Sequence, residues 1–345
     1  MLEYLLERPG VLTARDVPCP ALQPGDVLLK VQALTLCGSD VRVFTGEKTG
    51  GVRWPAVLGH EFSGEVVDAA GGAGSALLGT RCAVMPWISC GGCPACLRGD
   101  TNLCADMEIF GYQIPGAMAE YVRIPEAAVA GGNLVPLPAD VPPERGALAE
   151  PLACVYHGHR RSRVAIDSTV LILGAGPIGL FHTKLALAAG ARVVVVSEPD
   201  AARRAYAAGL PRTLTVDPGS QDLREVVRGV TAGQGVDSAI VCVGVPDLVA
   251  SAIDCTRGGG LINLFAGFGK YGMAEVDLNA VHYHQLDVVG NADATVSEYR
   301  TAVSLLATGA VEVESMVTHR FPLDRAGEAL EAARSGSGIK VAIVG

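Results

Sequence analysis

The sequence predicts an α/β protein in which a compact β-rich domain is followed by a doubly wound parallel sheet. The first 150 residues carry short apolar runs, such as Val27–Val31 and Ala119–Val122, separated by Gly, Pro and Asp turn signals. After Pro151 the pattern changes to strands that are apolar throughout, such as Thr169–Leu173, alternating with helical segments. Continuous apolar strands between helices indicate a parallel sheet that is covered on both faces.

The apolar pattern also predicts individual elements of the second half. These are Ala153–Arg163 (helix), Thr169–Leu173 (strand), Gly179–Ala189 (helix), Arg192–Val196 (strand), alternating segments at Asp237–Val243, Asp247–Cys255, Gly260–Phe265 and Leu286–Gly290, and a tail with Glu298–Thr308 (helix), Val317–Phe321 (extended), Asp324–Ser335 (helix) and Lys340–Val344 (strand). A chain of 345 residues exceeds what one hydrophobic core usually covers. We therefore predict domains at 1–152 and 153–296, followed by the tail 297–345.

The composition excludes several classes of function. A net charge of −9 and a pI of about 5.3 disfavour binding to nucleic acid or to anionic membranes. The longest apolar stretch, Val170–Phe181, is too short to cross a bilayer, and the N-terminus lacks the apolar core of a signal peptide. We expect a cytoplasmic protein.

The strongest local signal is the cysteine cluster of residues 90–104, with the spacing C-x2-C-x2-C-x7-C. It places Cys90, Cys93, Cys96 and Cys104 within fifteen residues. Four thiolates on one short loop are typical of a closed tetrahedral Zn(II) site, and we predict a structural zinc here. Iron–sulfur ligation is the main alternative. Disulfide bonds are the third and least favoured role, because cysteines three positions apart would form strained loops and the rest of the chain lacks the features of a secreted protein.

A glycine-rich turn follows the first strand of the second domain, in the order Gly174-Ala-Gly176-Pro-Ile-Gly179. Such glycines permit a tight turn, close approach of a pyrophosphate, and packing of the helix on the strand. The next strand ends at Glu198, whose carboxylate would accept the ribose hydroxyls of NAD and repel a 2′-phosphate. We predict a Rossmann site for NAD, with NADP as the alternative because Arg203 and Arg204 follow. The cofactor-binding candidates are Gly174, Gly176, Pro177, Ile178, Gly179, Glu198, Arg203 and Val243.

A third set of polar residues lies in three short segments of the first domain: Cys37-Gly-Ser39-Asp40, Gly59-His60-Glu61 and Ala149-Glu150-Pro151. Thiolate, imidazole and carboxylate groups suit a catalytic Zn(II). Spacing alone does not assemble them, because a lone cysteine is usually a small core residue.

The chain resembles the zinc-dependent medium-chain dehydrogenase/reductase family. In chain order, the motifs that carry the resemblance are Cys37–Asp40, Gly59–Gly64, the cysteine cluster, Glu150–Leu152, the glycine turn and Val317–Leu323. The resemblance is closest to the polyol branch, which includes sorbitol and galactitol-1-phosphate dehydrogenases. The turn after Ser197 is also similar to that of aminocyclitol dehydrogenases, such as 2-deoxy-scyllo-inosamine dehydrogenase.

The resemblance implies a GroES-like catalytic domain to which the tail returns, a Rossmann domain, and a catalytic zinc in the cleft between them. Carried over by position, Cys37, His60 and Glu61 are ligands of this zinc and Glu150 is a fourth or water-linked ligand. Ser39 matches the hydroxyl that relays the substrate proton, which completes the set of catalytic candidates.

One position departs from the family pattern. Many members carry a histidine three residues beyond the relay hydroxyl, and here that residue is Arg42. An arginine stays protonated and cannot shuttle a proton near neutral pH. Either water carries the proton to solvent, or Arg42 binds an anionic or hydroxyl-rich part of a ligand.

The resemblance further implies the reaction: an NAD(P)-dependent, two-zinc oxidoreductase that interconverts a secondary alcohol of a polyol, sugar alcohol or (amino)cyclitol with its ketone. A sugar phosphate or L-threonine is the alternative substrate. A catalytically inactive nucleotide-binding homologue and a zinc-independent reductase are alternatives of other kinds. The family habit is a homodimer or homotetramer, with an unpaired sheet edge near Gly260–Phe265 and Leu286–Gly290 as the candidate contact. His282 and His284 are expected in a strand-like run as interface or core residues.

Overall fold

The structure is a computed structural model that describes residues 1–269, 272–336 and 338–345. These residues form two compact units. The first contains Met1–Ala153 and Ala294–Gly345, and the second contains Cys154–Asp293. The predicted fold class is confirmed, since the first unit contains a mostly antiparallel sheet and the second a parallel sheet with helices in its crossovers.

The elements are numbered in chain order within the described residues. As far as residue 161 they are β1 (Leu2–Arg8), β2 (Val11–Asp16), β3 (Val27–Thr35), α1 (Gly38–Thr45), β4 (Glu61–Ala69), β5 (Arg81–Val84), β6 (Trp87–Ile88), α2 (Pro94–Leu97), β7 (Glu108–Ile109), β8 (Tyr121–Ile124), α3 (Glu126–Gly131), β9 (Leu134–Pro136), α4 (Pro143–Ala147) and α5 (Ala149–Arg161). There follow β10 (Thr169–Leu173), α6 (Pro177–Ala188), β11 (Val193–Ser197), α7 (Ala201–Ala208), β12 (Thr213–Val216), α8 (Leu223–Val230), β13 (Val236–Val241), α9 (Asp247–Cys255), β14 (Thr256–Leu264), α10 (Leu278–Tyr283) and β15 (Asp287–Gly290). The last elements are α11 (Val296–Ala307), β16 (Val317–Pro322), α12 (Ala326–Ser335) and β17 (Lys340–Val344).

The main sheet of the first unit has the strand order β16-β17-β3-β4-β5-β9, and β8 also pairs with β3. Only β16 and β17 are parallel to each other in this sheet, as far as the chain is described. The register places Thr35, the last residue of β3, opposite both Glu61 of β4 and Ala342 of β17. The C-terminal end of β3 therefore lies next to the N-terminal parts of its two neighbours, β4 and β17.

The sheet of the second unit is parallel throughout and has the order β12-β11-β10-β13-β14-β15. Every residue of β10 is buried, which agrees with the apolar run that predicted it. The register aligns Leu173 of β10 with Ser197 of β11 and with Val241 of β13. In doubly wound sheets ligands bind outside the carboxyl ends of the strands, so this edge is the expected binding edge.

One local prediction is wrong. The segment that contains His282 and His284 is not strand-like, because α10 extends to Tyr283 and a turn follows it. Both histidines are exposed in the chain, and His282 packs edge-on against Tyr283. Neither is therefore a core residue. In the described ranges, no helix combines the length and apolar character needed to cross a membrane.

Two other histidines are buried in the interior of the second unit. His182 of α6 is 0% exposed and His159 of α5 is 8% exposed. Both ring nitrogens of His182 and Nδ1 of His159 lack a hydrogen-bond partner among the described residues. Burial lowers the pKa of His182 to about 3, helped by the charge of His159, and burial lowers the pKa of His159 to about 4. Both rings are therefore neutral in the folded chain at neutral pH.

We expect the protein to lose stability as the pH falls below about 6.5, the ordinary pKa of histidine. In that range the unfolded chain binds a proton at each histidine and the folded chain does not, so protons favour unfolding. His182→Leu removes one of these two sites. Between about pH 7.5 and about pH 5, the wild type should lose about 2 kcal/mol more unfolding free energy than the variant. Urea denaturation followed by circular dichroism measures the difference, and equal losses would contradict this account of His182.

Candidate metal and dinucleotide sites

Three potential metal ligands of the first unit converge where the ends of β3 and β4 meet. Cys37 precedes α1, His60 precedes β4, and Glu61 is the first residue of β4. Their candidate ligand atoms all lie within 4.8 Å of one another. His60 and Glu61 are buried, and Cys37 is partly exposed. A thiolate, an imidazole and a carboxylate around one point fit a catalytic Zn(II), which usually has three protein ligands and keeps one exchangeable position.

Asp40 orients two of these residues. Its Oδ1 lies 3.2 Å from Nδ1 of His60, and its Oδ2 accepts the backbone N–H of Cys37 at 3.0 Å. The carboxylate is 1% exposed and also accepts the N–H of Gly59 at 3.3 Å. Burial would raise the pKa of Asp40, but the charge of His60 outweighs it and the pKa is lowered. The Asp40 carboxylate beside Nδ1 interacts with the imidazole electrostatically, since Nδ1 has no partner that meets hydrogen-bond geometry among the described residues.

Glu61 has a buried cationic partner that the sequence did not reveal. Nζ of Lys340, the first residue of β17, lies 2.6 Å from Oε1 and 2.5 Å from Oε2 of Glu61. The hydroxyl of Thr35 donates to Oε2. Burial would lower the pKa of Lys340, but the negative charge of Glu61 raises it above the ordinary value. The ammonium is thus charged, and contacts from β3 and β17 hold the Glu61 carboxylate beside the other two candidate ligands, Cys37 and His60.

Glu150 is placed apart from the three converging ligands. It is the second residue of α5, is 7% exposed, and is not a member of the group whose ligand atoms lie within 4.8 Å of one another. Its charge nevertheless contributes to the raised pKa of Lys340, so it lies in the same electrostatic neighbourhood.

Ser39, the candidate proton relay, lies in the first turn of α1, and its side chain is close enough to the phenol of Tyr112 to influence the pKa of that group. The Tyr112 ring stacks on the ring of His60, with centroids 5.7 Å apart and an angle of 25° between the planes. Burial raises the pKa of Tyr112 to about 12, so its phenol stays protonated. Arg42 is exposed on the same helix. Tyr112 therefore lies between the candidate relay residue and a candidate metal ligand.

The cysteine cluster forms a second group of ligands in the first unit. The sulfur atoms of Cys90, Cys93, Cys96 and Cys104 lie within 4.8 Å of one another, and those of Cys93 and Cys96 are 3.5 Å apart. Four sulfurs bound tetrahedrally at about 2.3 Å from zinc would be separated by about 3.8 Å. The cluster therefore fits a closed Zn(II) site. Four thiolates saturate the ion and leave no position for a substrate.

The glycine turn of the second unit borders a cavity of about 470 Å³. Gly174 has φ of +100°, and a Cβ at Gly179 would lie 1.8 Å from the carbonyl oxygen of Gly174. A Cβ at Gly176 would meet no atom within 4 Å, so that residue faces open space before the N-terminus of α6. These features fit a pyrophosphate at the helix N-terminus. Glu198, Arg203 and Val243 also line the cavity, whereas Pro177 and Ile178 open α6.

Glu198 and Arg204 are tied to the main chain around this cavity. Oε2 of Glu198 accepts the N–H of Ala175 at 2.6 Å, and Oε1 accepts the N–H of Asp200 at 2.9 Å. Arg204 donates to the carbonyl oxygens of Glu198 and Pro199 at 2.8 and 2.9 Å, and to Asp217 at 3.1 Å. Arg204 therefore fastens the turn, and Arg203 is the arginine that lines the cavity.

Comparison with known proteins identifies the family of this chain. Residues 23–138 match the family described as alcohol dehydrogenase GroES-like domain, and residues 177–308 match the family described as zinc-binding dehydrogenase. D-arabitol-phosphate dehydrogenase of Enterococcus avium is 33% identical over 95% of this chain and 92% of its own. The chain belongs to the zinc-dependent medium-chain dehydrogenase/reductase family. The predicted family and enzyme class are thereby confirmed: the protein is an oxidoreductase that uses zinc and NAD(P).

Other members of the family differ in the substrates they are named for. L-galactonate-5-dehydrogenase of Escherichia coli is 31% identical over 92% of this dehydrogenase and 90% of its own chain. L-threonine 3-dehydrogenase of Pyrococcus furiosus is 32% identical, with coverage of 94% and 92%. A zinc-binding dehydrogenase from Sinorhizobium meliloti, solved with NADP, superposes with a TM-score of 0.91 at 34% identity and covers 100% of this chain and 99% of its own. Similarity therefore defines the family and leaves the substrate to be argued from the site.

Proposed function

We propose that this dehydrogenase oxidises a secondary alcohol of a polyhydroxylated small molecule to the ketone, with NAD as hydride acceptor. The observation that carries the proposal is the convergence of Cys37, His60 and Glu61, with Ser39 linked to the same place through Tyr112. An open three-ligand metal site beside a relay hydroxyl suits the removal of a proton and a hydride from one alcohol. The reverse reaction uses the same groups.

The residues of the chain have separate tasks in this reaction. Cys37, His60 and Glu61 would hold a zinc ion, which would supply a Lewis acid that lowers the pKa of an alcohol hydroxyl. Ser39 would relay the hydroxyl proton, giving up its own proton towards solvent as it accepts that of the substrate; Arg42 stays protonated and cannot take it. The phenol of Tyr112 lies beside the Ser39 side chain. The second unit would bind NAD, which would supply the hydride acceptor.

We propose two zinc ions per chain. The support is that two separate groups of ligands exist within the described residues, one with three different donors and one with four thiolates. Glu150 is proposed as a further or water-linked ligand of the first ion. Its support is the electrostatic influence of Glu150 on Lys340, the partner of Glu61.

The names of the relatives support a polyhydroxylated substrate and also a second candidate. D-arabitol phosphate and L-galactonate carry secondary hydroxyls on a carbon chain. L-threonine, the substrate named for the Pyrococcus furiosus relative, is the second candidate. All three have a secondary alcohol that the same zinc and relay hydroxyl could serve. A cyclitol stays within the proposal because it presents vicinal secondary hydroxyls.

We propose NAD rather than NADP as the cofactor. The Glu198 carboxylate lines the cavity and would repel a 2′-phosphate. Arg204 already donates hydrogen bonds to Asp217 and to two backbone carbonyl groups, so it is not placed to bind a 2′-phosphate. Arg203 is the cation that could favour NADP. The Sinorhizobium meliloti neighbour is described as bound to NADP, so the choice depends on these local residues rather than on the family.

We also propose a homodimer or homotetramer. The support lies in the second unit, where β15 is an edge strand of the sheet. Val288 of that strand and the nearby Tyr283, Leu278 and Met273 are large apolar residues that are exposed in the single chain.

A substrate panel tests the proposed function. Purified, zinc-loaded protein is assayed by nicotinamide absorbance with D-arabitol, sorbitol, myo-inositol, D-arabitol 1-phosphate, L-galactonate and L-threonine, each with NAD and with NADP. We expect oxidation of at least one polyhydroxylated compound at a higher kcat/KM than L-threonine. Turnover of L-threonine alone would favour the second candidate. No turnover of any compound, with NAD bound, would favour a nucleotide-binding homologue without this activity.

Substitution of Glu198 tests the choice of cofactor. Glu198→Gln keeps an oxygen that can accept the Ala175 N–H but removes the charge, so NADP should be excluded less strongly. We expect the ratio of kcat/KM for NAD to that for NADP to fall by at least about tenfold, which corresponds to about 1.4 kcal/mol. Glu198→Ala should also weaken the binding of NAD, because the hydrogen bond that the carboxylate accepts from Ala175 is lost. A wild type that prefers NADP would show that this interpretation of Glu198 is wrong.

A further inference from the structure

A second cavity of the Rossmann unit, of about 230 Å³, lies at the edge of the sheet opposite the dinucleotide site. Its lining includes Gly235, which directly precedes β13, and Thr256, the first residue of β14. Gly174 and Glu198, which border the cofactor cavity, directly follow β10 and β11. Because these strands are parallel, their amino ends lie at one edge of the sheet and their carboxyl ends at the other. The two cavities are therefore separate.

Two arginines of α8 line this second cavity. Arg224 and Arg228 are four positions apart, so their side chains lie on the same face of the helix. The first turn of the helix is fixed by Asp222, whose Oδ1 accepts the N–H of Arg224 at 2.8 Å. Within residues 1–269, 272–336 and 338–345, neither guanidinium forms an ion pair or a hydrogen bond. Both are therefore available to a ligand.

Other polar groups of the cavity come from neighbouring helices. His284 follows α10, and Asp254 is the last residue but one of α9. Burial raises the pKa of the Cys255 thiol, another lining group, to about 11, and the charge of Asp254 adds to the rise. Arg224 and Arg228 oppose that rise. The carboxylate and both guanidinium groups therefore act on one point of the cavity.

This combination of groups suits a small tetrahedral oxyanion that still carries a proton. Arginine binds phosphate oxygens in a bidentate manner, and two arginines can hold two edges of one tetrahedral ion. At neutral pH, hydrogen phosphate keeps an O–H group that can donate to the Asp254 carboxylate. Sulfate has no such group, and a phosphate ester with a second pKa of about 6 has lost its last proton at neutral pH. The carboxylate therefore favours inorganic phosphate over both.

The size of the cavity agrees with such a ligand. Its volume equals that of about eight water molecules at about 30 Å³ each. A phosphate ion with a few waters fits this space, whereas the cofactor cavity measures about 470 Å³. A second dinucleotide is therefore excluded.

We propose that the cavity of Arg224, Arg228 and Asp254 is a binding site for inorganic phosphate. The proposal goes beyond the dehydrogenase reaction, since it uses neither the candidate metal ligands nor the cofactor cavity. Like charges four positions apart on a helix destabilise it, and a bound anion removes this repulsion. Phosphate should therefore stabilise the second unit, because it binds the folded chain only.

Calorimetric titration of inorganic phosphate, sulfate and glycerol 3-phosphate into zinc-loaded protein at about pH 7.5 tests the proposal. Saturating NAD is present, because the N-terminus of α6 would otherwise offer a second place for a phosphate group. The variants are Arg224→Gln, Arg228→Gln and Asp254→Asn. Arg161→Gln is the matched control, because Arg161 is an exposed arginine of α5 in the same unit and does not line the cavity.

We expect the wild type to bind phosphate with a Kd of about 1 mM or lower, and sulfate and glycerol 3-phosphate at least about tenfold more weakly. Each arginine variant should weaken phosphate binding by about tenfold, as expected for a lost charge-assisted hydrogen bond. Asp254→Asn should bind sulfate and phosphate about equally, since it no longer repels sulfate. Arg161→Gln should match the wild type.

Thermal denaturation is the second measurement. Millimolar phosphate should raise the Tm of the wild type and of Arg161→Gln, and raise it much less in the two arginine variants of α8. Equal phosphate binding or an equal rise in Tm in all these proteins would overturn the proposal. It would also be overturned by the absence of binding up to about 10 mM phosphate. Sulfate binding as tight as that of phosphate in the wild type would overturn the assignment of phosphate as the ligand.

Discussion

The buried carboxylate of Glu61 is the constraint on which the first unit depends. A carboxylate with 0% exposure needs a partner, because desolvation of an unpaired charge costs several kcal/mol. The partner is Lys340, which is itself only 4% exposed and opens the last strand of the chain. Removing one member of such a buried pair costs about 3 to 5 kcal/mol. The pair therefore joins β4 to β17 at the point where Cys37 and His60 must also be placed.

The chemistry divides between two kinds of metal-binding group. The cysteine cluster offers four thiolates and can hold zinc without leaving a position for a substrate. The group of Cys37, His60 and Glu61 offers three unlike donors, oriented by Asp40 and Lys340. A catalytic metal needs an open coordination position, and only three protein ligands leave one. Cys37, His60 and Glu61 are therefore better candidates for catalysis than the cysteine cluster.

Local patterns were sufficient to predict the fold class. The buried strand Thr169–Leu173 and the last strand Lys340–Val344 agree with the structure in their bounds, because continuous apolar runs of that length are typical of buried strands. The segment around His282 was predicted wrongly as strand-like, since a short exposed helix leaves little periodicity in the sequence. The family resemblance, rather than spacing, assembled the candidate ligands, because residues distant in sequence meet only through strand register.

Lys340 and Tyr112 show why the rest of the site could not be predicted. Glu61 and Lys340 are 279 positions apart, and no local pattern joins them. A lysine that opens an otherwise apolar strand was the available signal, since buried lysines are usually paired. The contacts of Tyr112 with His60, Ser39 and Lys48 depend on the tertiary fold, and no local sequence pattern predicts them.

The most direct test of the account is to measure zinc content and turnover together during chelation. The account predicts two zinc ions per chain. A chelator should remove the ion held by Cys37, His60 and Glu61 in proportion to the loss of turnover, while NAD binding is unchanged. The second ion should leave only as the protein unfolds, because four thiolates hold it. Full turnover after loss of the zinc at Cys37, His60 and Glu61 would contradict the assignment of catalysis to these residues, and full activity with one zinc per chain would contradict the proposal of two ions.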